Sequence, residues 1–365
     1  MSYLVFTIIS YHLEIKRKNI DHERHFGYFS LYLLFFPRIA QGPIERPQKL
    51  MPQLREFHSF DYGLVTKGLK LILWGYFKKL VIADRLAIYV NAVYNNSAQH
   101  NGTTFMLATV FFAFQIYADF SGYTDIALGS AQLFGIRLTS NFNRPYLSTS
   151  IKEFWNRWHI TFSTWLRDYL FLPIAFYFSK RMKKDRYLYI PTEKWIYLFS
   201  IMITFVICGV WHGEGWTYLV WGFLFGIYLS YSNWTDKLQK KIRKRFHIKK
   251  TSGFYITYKI LVTFILVSFT WVFFRANTLT DALLILKRIL SFKGPLFLDR
   301  TTIIYGIVGI TVLILVEIMQ EFGHRSTGLF KAAGWKMEYL AYITVLFLIL
   351  TLGVFDGGQF IYFQF

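Results

Sequence analysis

The sequence predicts an all-α fold, a polytopic transmembrane helical bundle. Three observations carry that expectation. Of 365 residues, 54% are hydrophobic and only 17% are charged, against about 25% charged in soluble domains. The charges are gathered into short clusters, which leaves segments 195–211, 215–233, 301–316 and 339–355 with none. Several of these approach the roughly 20 apolar residues that a helix needs to cross a bilayer core.

Taken in order, the expected membrane helices are 3–15, 26–40, 63–94 with a break, 103–135, 195–211, 215–233, 254–274, 301–318 and 338–355. The chain opens on an apolar segment, YLVFTIISYHLE, with no signal peptide ahead of it. That opening predicts a chain that starts partway through a larger helical bundle. Between 26 and 54, Pro37, Pro43, Pro47 and Pro52 forbid one continuous helix. Such a run is either a covered lining segment at membrane depth or an ordinary surface loop. Segment 278–292 reads as a short amphipathic helix at the membrane interface.

The formal net charge of +20 raises nucleic acid as a partner. Its distribution argues against that partner. Residues 180–186 hold five basic side chains and 237–250 hold eight. Both clusters flank the expected spans 195–211 and 215–233, so they fall on one face of the membrane, which the positive-inside rule makes cytoplasmic. The single cysteine, Cys208, excludes an intrachain disulfide framework.

Three clusters could carry chemistry. In 139–173, Ser150 and Glu153 form a capping-box pattern that starts a helix of about 20 residues ending near Pro173. At helical spacing Trp155, Trp158, Phe162, Trp165 and Tyr169 form an aromatic stripe, and Glu153, Arg157, Thr161, Thr164 and Asp168 a polar one. This helix is amphipathic and either lies in the interface or re-enters the bundle. His159 stands beside its aromatic stripe; alone, such a histidine is more often structural. The second cluster is ICGVWHGEGW at 207–216. There His212 ends an uncharged span, and Gly213 and Gly215 permit a break and a close approach. An ionisable side chain bordering a span is a functional candidate by default. The bland reading is a belt anchor formed with Trp211 and Trp216. In the third cluster, QIYADFSGYTD at 115–125, Asp119 and Asp125 interrupt an apolar stretch. Buried pairing with Arg137, Arg144, Arg157 or Arg167 is a readier explanation than catalysis.

The sequence contains no Walker loop, no HExxH, no Gly-x-Ser-x-Gly and no CxxC. The histidines lack the close spacing of a helical metal site, so no metal is expected.

The blocks FFPRIAQGPIERPQKLMPQL, YADFSGYTDIALGSAQLFGIRLTSNFNRPYLSTSIKEFWNRWHITFSTWLRDYLFLP, GVWHGEGWTYLVWG and FDGGQFIYFQF resemble the membrane-bound O-acyltransferase family, in its bacterial, alginate O-acetyltransferase-like branch. The resemblance runs from about residue 2 to the end. It implies one membrane-embedded acyltransferase domain over 1–365, lacking the family's N-terminal helices and pierced by a central tunnel. It also implies a multi-pass protein of the inner, cytoplasmic membrane. Transferred residue by residue, it makes His212 the principal catalytic histidine and His159 the second. Asp119, Asp125, Arg157, Asn156 and Trp211 are supporting tunnel or ion-pair candidates. The implied activity moves an acetyl group from a cytoplasmic thioester, acetyl-CoA or similar, to an extracytoplasmic hydroxyl. That hydroxyl belongs to a polysaccharide or to a secreted acyltransferase partner. No tightly bound cofactor is implied. Two other readings remain: a transporter or flippase, and a non-catalytic scaffold for a secreted acetyltransferase.

Overall fold

A computed structural model describes residues 2–323 and 334–356. The elements, in chain order, are α1 (Ser2–Lys16), α2 (Phe26–Leu34), α3 (Pro47–Arg55), α4 (Tyr62–Tyr76), α5 (Asp84–Tyr94), α6 (Gly102–Leu133), α7 (Ile151–Arg157), α8 (Ile160–Leu166), α9 (Leu172–Arg181), α10 (Thr192–His212), α11 (Trp216–Arg245), α12 (Gly253–Arg275), α13 (Leu279–Ser291), α14 (Arg300–Phe322) and α15 (Trp335–Leu352). Two-residue strands at Arg186–Tyr187 and Ile190–Pro191 form a small antiparallel ribbon. The fold is all-α. Among the described residues, five helices, α6, α10, α12, α14 and α15, are long and apolar enough to cross a membrane.

The other expected spans take different forms. Residues 3–15 form α1, which at 15 residues rises only about 22 Å, short of a roughly 30 Å hydrocarbon core. Segment 26–40 stops as a helix at Leu34, and a 3-10 turn with Pro37 in its first positions follows. Segment 63–94 stays helical, but its fourfold hydrogen bonding widens to a π-turn at Phe77–Ala83 between α4 and α5. Segment 215–233 is the first part of α11. The closing motif lies, from Gly357 onward, outside the described residues.

The chain divides into two compact units. The first comprises residues 1–89, 114–141 and 298–365. Its framework is a small-residue seam between α4 and α6. A methyl group at Gly75 would lie 2.7 Å from the Gly122 carbonyl oxygen, and one at Gly129 would lie 2.5 Å from that of Gly68. Only glycine permits such an approach, the usual device for helix contact inside a bilayer. The seam brings the π-turn lysines against the carboxylates of α6. Lys79 Nζ lies 2.8 Å from Asp84 and 2.9 Å from Asp119, and Lys78 Nζ lies 2.5 Å from Asp125. The sequence reading named arginines as partners; the pairs found are to lysines. The π-turn is the reason, because it places two consecutive lysines on the α6 side of the helix, where both are buried. The Pro-broken run is also buried from Gln41 to Glu45, so it is a covered segment and not a surface loop. Glu45 there accepts a 3.0 Å bond from Thr139 Oγ1.

The second unit comprises residues 90–113 and 142–297. Its centre is the α10–α11 hairpin. Gly222 faces the Phe205 carbonyl and Gly209 that of Tyr218 too closely for a side chain. At the open end, Lys194 Nζ donates to the Trp234 carbonyl at 3.0 Å, and the Trp195 and Trp234 rings sit 5.4 Å apart. The basic clusters 180–186 and 237–250 continue from this end. Cysteines introduced by Lys184→Cys and Lys244→Cys are therefore expected to react with an impermeant maleimide from the same side of the membrane. Labelling from opposite sides would contradict the hairpin. The amphipathic helix expected at 278–292 is α13; Thr278 caps it by accepting from the Asp281 amide at 3.0 Å.

The expected 20-residue helix at 150–173 is not continuous. It starts as read, with the Ser150 hydroxyl accepting from the Glu153 amide at 3.2 Å. The Glu153 carboxylate, however, reaches back to the Thr149 amide at 2.9 Å. The helix ends at Arg157, restarts at Ile160, widens to a π-turn at Arg167–Phe171 and continues through Pro173 into α9. Two groups replace the lost helical bonds at the break. The Asn143 amide donates to the Arg157 carbonyl at 2.9 Å. Ser163 Oγ donates to the Trp158 carbonyl at 3.0 Å, in the way serine competes with helical backbone. Pro173 lies inside this continuous helical run, where it has no N–H to donate, and the π-turn stands just before it.

Candidate functional site

The helix break sets the position of His159. This residue caps α8 in the left-handed region, with φ 43° and ψ 53°. Non-glycine residues occupy that region uncommonly, histidine more readily than most. Its ring is buried and stacks on Phe162, with centroids 4.9 Å apart and 30° between planes.

His212 arrives from a different element, as the last residue of α10. Gly213 follows with φ 163° and ψ 167°, extended backbone that any residue can adopt. Close approach is what requires glycine here, since a methyl group would lie 2.5 Å from the Tyr218 ring. Gly213→Ala is accordingly expected to cost about 1–3 kcal/mol through overpacking. A lowered melting temperature of the purified protein would register it, and an unchanged one would show that Tyr218 yields freely.

Aromatic rings enclose His212. Centroid distances are 4.6 Å to Trp211, 4.9 Å to Trp221, 5.2 Å to Phe274 and 6.5 Å to Phe162. Phe162 is thus a neighbour of both histidines, and it also packs on Trp211 at 4.7 Å. Trp221 and Phe274 escaped the sequence reading. Their only sequence signal is an aromatic residue within an apolar helix, which core packing explains equally well. The hairpin brings Trp221 back to His212, and Phe274 comes from α12.

The supporting candidates separate. Trp211 belongs to the histidine cluster. Arg157 pairs with Glu153 at 2.7 Å, one helical turn apart. Asn156 lines a cavity of about 400 Å³, together with Lys152, Trp155, Ile160, Thr164 and Arg167 on one side and Tyr197, Thr204 and Phe205 of α10 on the other. Neither histidine is among its lining residues. Trp155 connects the two features, because its ring lies 6.0 Å from that of Trp221. Asp119 and Asp125 belong to the first unit, in the lysine pairs described above. Among the described residues, no three His, Cys, Asp or Glu side chains gather as a metal site.

Residues 15–275 match the model of MBOAT, the membrane-bound O-acyltransferase family. A peptidoglycan O-acetyltransferase of Helicobacter pylori is 31% identical, over 93% of this chain and 65% of its own length. A probable alginate O-acetylase AlgI of Pseudomonas aeruginosa is 31% identical, over 80% of this chain and 51% of its own. A teichoic acid D-alanyltransferase of Bacillus subtilis is 28% identical, over 67% of this chain and 60% of its own. The chain thus spans between about half and two thirds of the length of these relatives. With several apolar helices and a family match covering most of its length, this multi-pass membrane protein belongs to the membrane-bound O-acyltransferase family.

Proposed function

We propose that the full-length protein is an O-acetyltransferase that moves an acetyl group from a cytoplasmic thioester to a hydroxyl outside the cytoplasmic membrane. The observation that carries this reading is the meeting of His159 and His212, from separate helices, around one buried ring, Phe162. The relatives' names, peptidoglycan O-acetyltransferase and probable alginate O-acetylase, support a polysaccharide acceptor; a partner acyltransferase that passes the acetyl group on is served by the same chemistry.

Acyl transfer to a hydroxyl needs a base for the attacking oxygen and a proton for the leaving sulfur. Histidine suits both near neutral pH. His212 takes the hydroxyl proton as the oxygen attacks the thioester carbonyl carbon. The C–O bond forms, the C–S bond breaks, and the proton passes from His212 to the departing thiolate. His159 orients the donor and polarises its carbonyl. The basic clusters face the cytoplasm, as the positive-inside rule requires.

The test is ester-linked acetate on exported polysaccharide, measured in a deletion strain with and without the full-length gene. Acetylation that returns with the gene supports the reading. Substrate flux without acylation by the purified full-length protein would replace it with a transporter.

A further inference from the structure

A second cavity, of about 230 Å³, lies within the first unit, between α1, α2 and the Pro-broken run. Tyr3 and Pro43 are buried in its wall, whereas Leu34 and Ile39 are 56% and 49% exposed and open outward. Arg38 also lines it and is only 4% exposed. The Gly42 amide donates to the Arg38 carbonyl at 3.1 Å and closes a turn that fixes the arginine backbone. The partners of the guanidinium are neutral. It donates to Thr7 Oγ1 at 3.3 Å and to the Tyr32 carbonyl, and it lies 5.0 Å from the centre of the Tyr32 ring. Its Nε has no acceptor among the described residues. Glu45, on the same run, is held by Thr139 at 3.0 Å. Among the described residues no carboxylate forms an ion pair with Arg38. Buried charges are ordinarily paired, because a guanidinium stripped of both water and a counter-charge is costly. Here a buried cation, an open donor and an empty space beside them occur together, and that combination suits an anion.

We propose that Arg38 forms the floor of a lipid site that takes the phosphodiester of an anionic membrane phospholipid, with the fatty chains running out over Leu34 and Ile39. Three properties select this anion. The charge to be matched is single, and a phosphodiester carries one negative charge where a phosphate monoester carries about 1.5–2 at pH 7. The donors of a guanidinium match phosphate oxygens in geometry. The half-exposed leucine and isoleucine offer apolar contact to fatty chains, which a free ion lacks. The volume of about 230 Å³ equals that of roughly seven to eight waters at about 30 Å³ each, room for a headgroup phosphate and part of its glycerol. The site does not depend on the acyl-transfer reading.

The experiment uses purified full-length protein in detergent and a phosphatidylglycerol probe with a photoreactive diazirine in one fatty chain. Cross-linked peptides are quantified by mass spectrometry. In wild type, labelling is expected in α1 and in segment 26–44. Unlabelled phosphatidylglycerol should compete it away, and equal concentrations of phosphatidylcholine or inorganic phosphate should not. Arg38→Gln removes the charge and should lower this labelling at least ~10-fold, the scale of a lost hydrogen bond to a charged group. Leu34→Trp closes the mouth from an exposed position and leaves Arg38 in place, so it carries the test if Arg38→Gln does not fold; the same loss is expected. Labelling of the basic cluster 237–250 should not change in either variant, which separates the site from the general attraction of a +20 chain for anionic lipid. Unchanged labelling of segment 26–44 in whichever variant folds overturns the proposal, as does equal competition by phosphatidylcholine. Inorganic phosphate that competes as well as the lipid overturns the lipid as the source and leaves a site for a free ion.

Discussion

Replacing His212 with alanine in the full-length protein is expected to lower polysaccharide acetylation by at least ~10²-fold, the lower end for loss of a general base. In the proposed mechanism the substitution removes the imidazole that takes the hydroxyl proton. It leaves the enclosing rings of Trp211, Trp221 and Phe274 in place, and Trp221 and Phe274 pack on each other at 5.4 Å without the histidine. Membrane insertion and protein level should therefore match wild type. The measurement is ester-linked acetate released by mild base from the exported polymer, normalised to the amount of protein in the membrane fraction. Equal acetylation at equal protein would remove His212 from catalysis and leave a scaffold that recruits another acetyltransferase.

The largest stability effect is expected at Lys79. Its ammonium group holds two buried carboxylates, Asp84 at 2.8 Å and Asp119 at 2.9 Å. Lys79→Leu leaves both without this partner. Breaking a buried pair by removing one member costs about 3–5 kcal/mol, because a charge is stranded in a poorly solvating interior. That is a large share of a total stability of roughly 5–15 kcal/mol. The variant should lose most of its monodisperse yield in detergent and melt at a lower temperature. Adding Asp84→Asn and Asp119→Asn to Lys79→Leu should restore much of the loss, since neutral groups are cheaper to bury than stranded charges. A single Lys79→Leu protein that melts with wild type would show that the pairs contribute nothing to stability.

Much of this architecture is legible in the linear order of residues. Hydropathy alone marks α6, α10, α12, α14 and α15, because a span must present apolar side chains over its whole length. The start of α7 at Ser150 is equally local, since the hydroxyl that caps it and the amide it caps are three residues apart. The amphipathic helix α13 announces itself through Thr278 and Asp281 for the same reason. His212 could be singled out because an ionisable ring beside two glycines at the end of an apolar helix is rare on any local rule.

Other features depend on residues that sequence distance conceals. Nothing near His159 predicts a helix break: no glycine or proline stands there, and the aromatic spacing continues through it. The Asn143 amide, reaching the Arg157 carbonyl from the preceding loop, helps make the break affordable. The lysine partners of Asp119 and Asp125 follow from the glycine seam between α4 and α6 and from a π-turn that shifts two lysines inward. Composition already assigns the chain to the membrane, and local pattern marks His212 as a candidate, because those are properties of individual side chains and their near neighbours; His159 becomes a candidate only through the family resemblance. Placing His159 and His212 on the same phenylalanine requires the α10–α11 hairpin and the broken α7–α8 helix together. That arrangement is set by packing and by hydrogen bonds between distant segments, which no local pattern encodes.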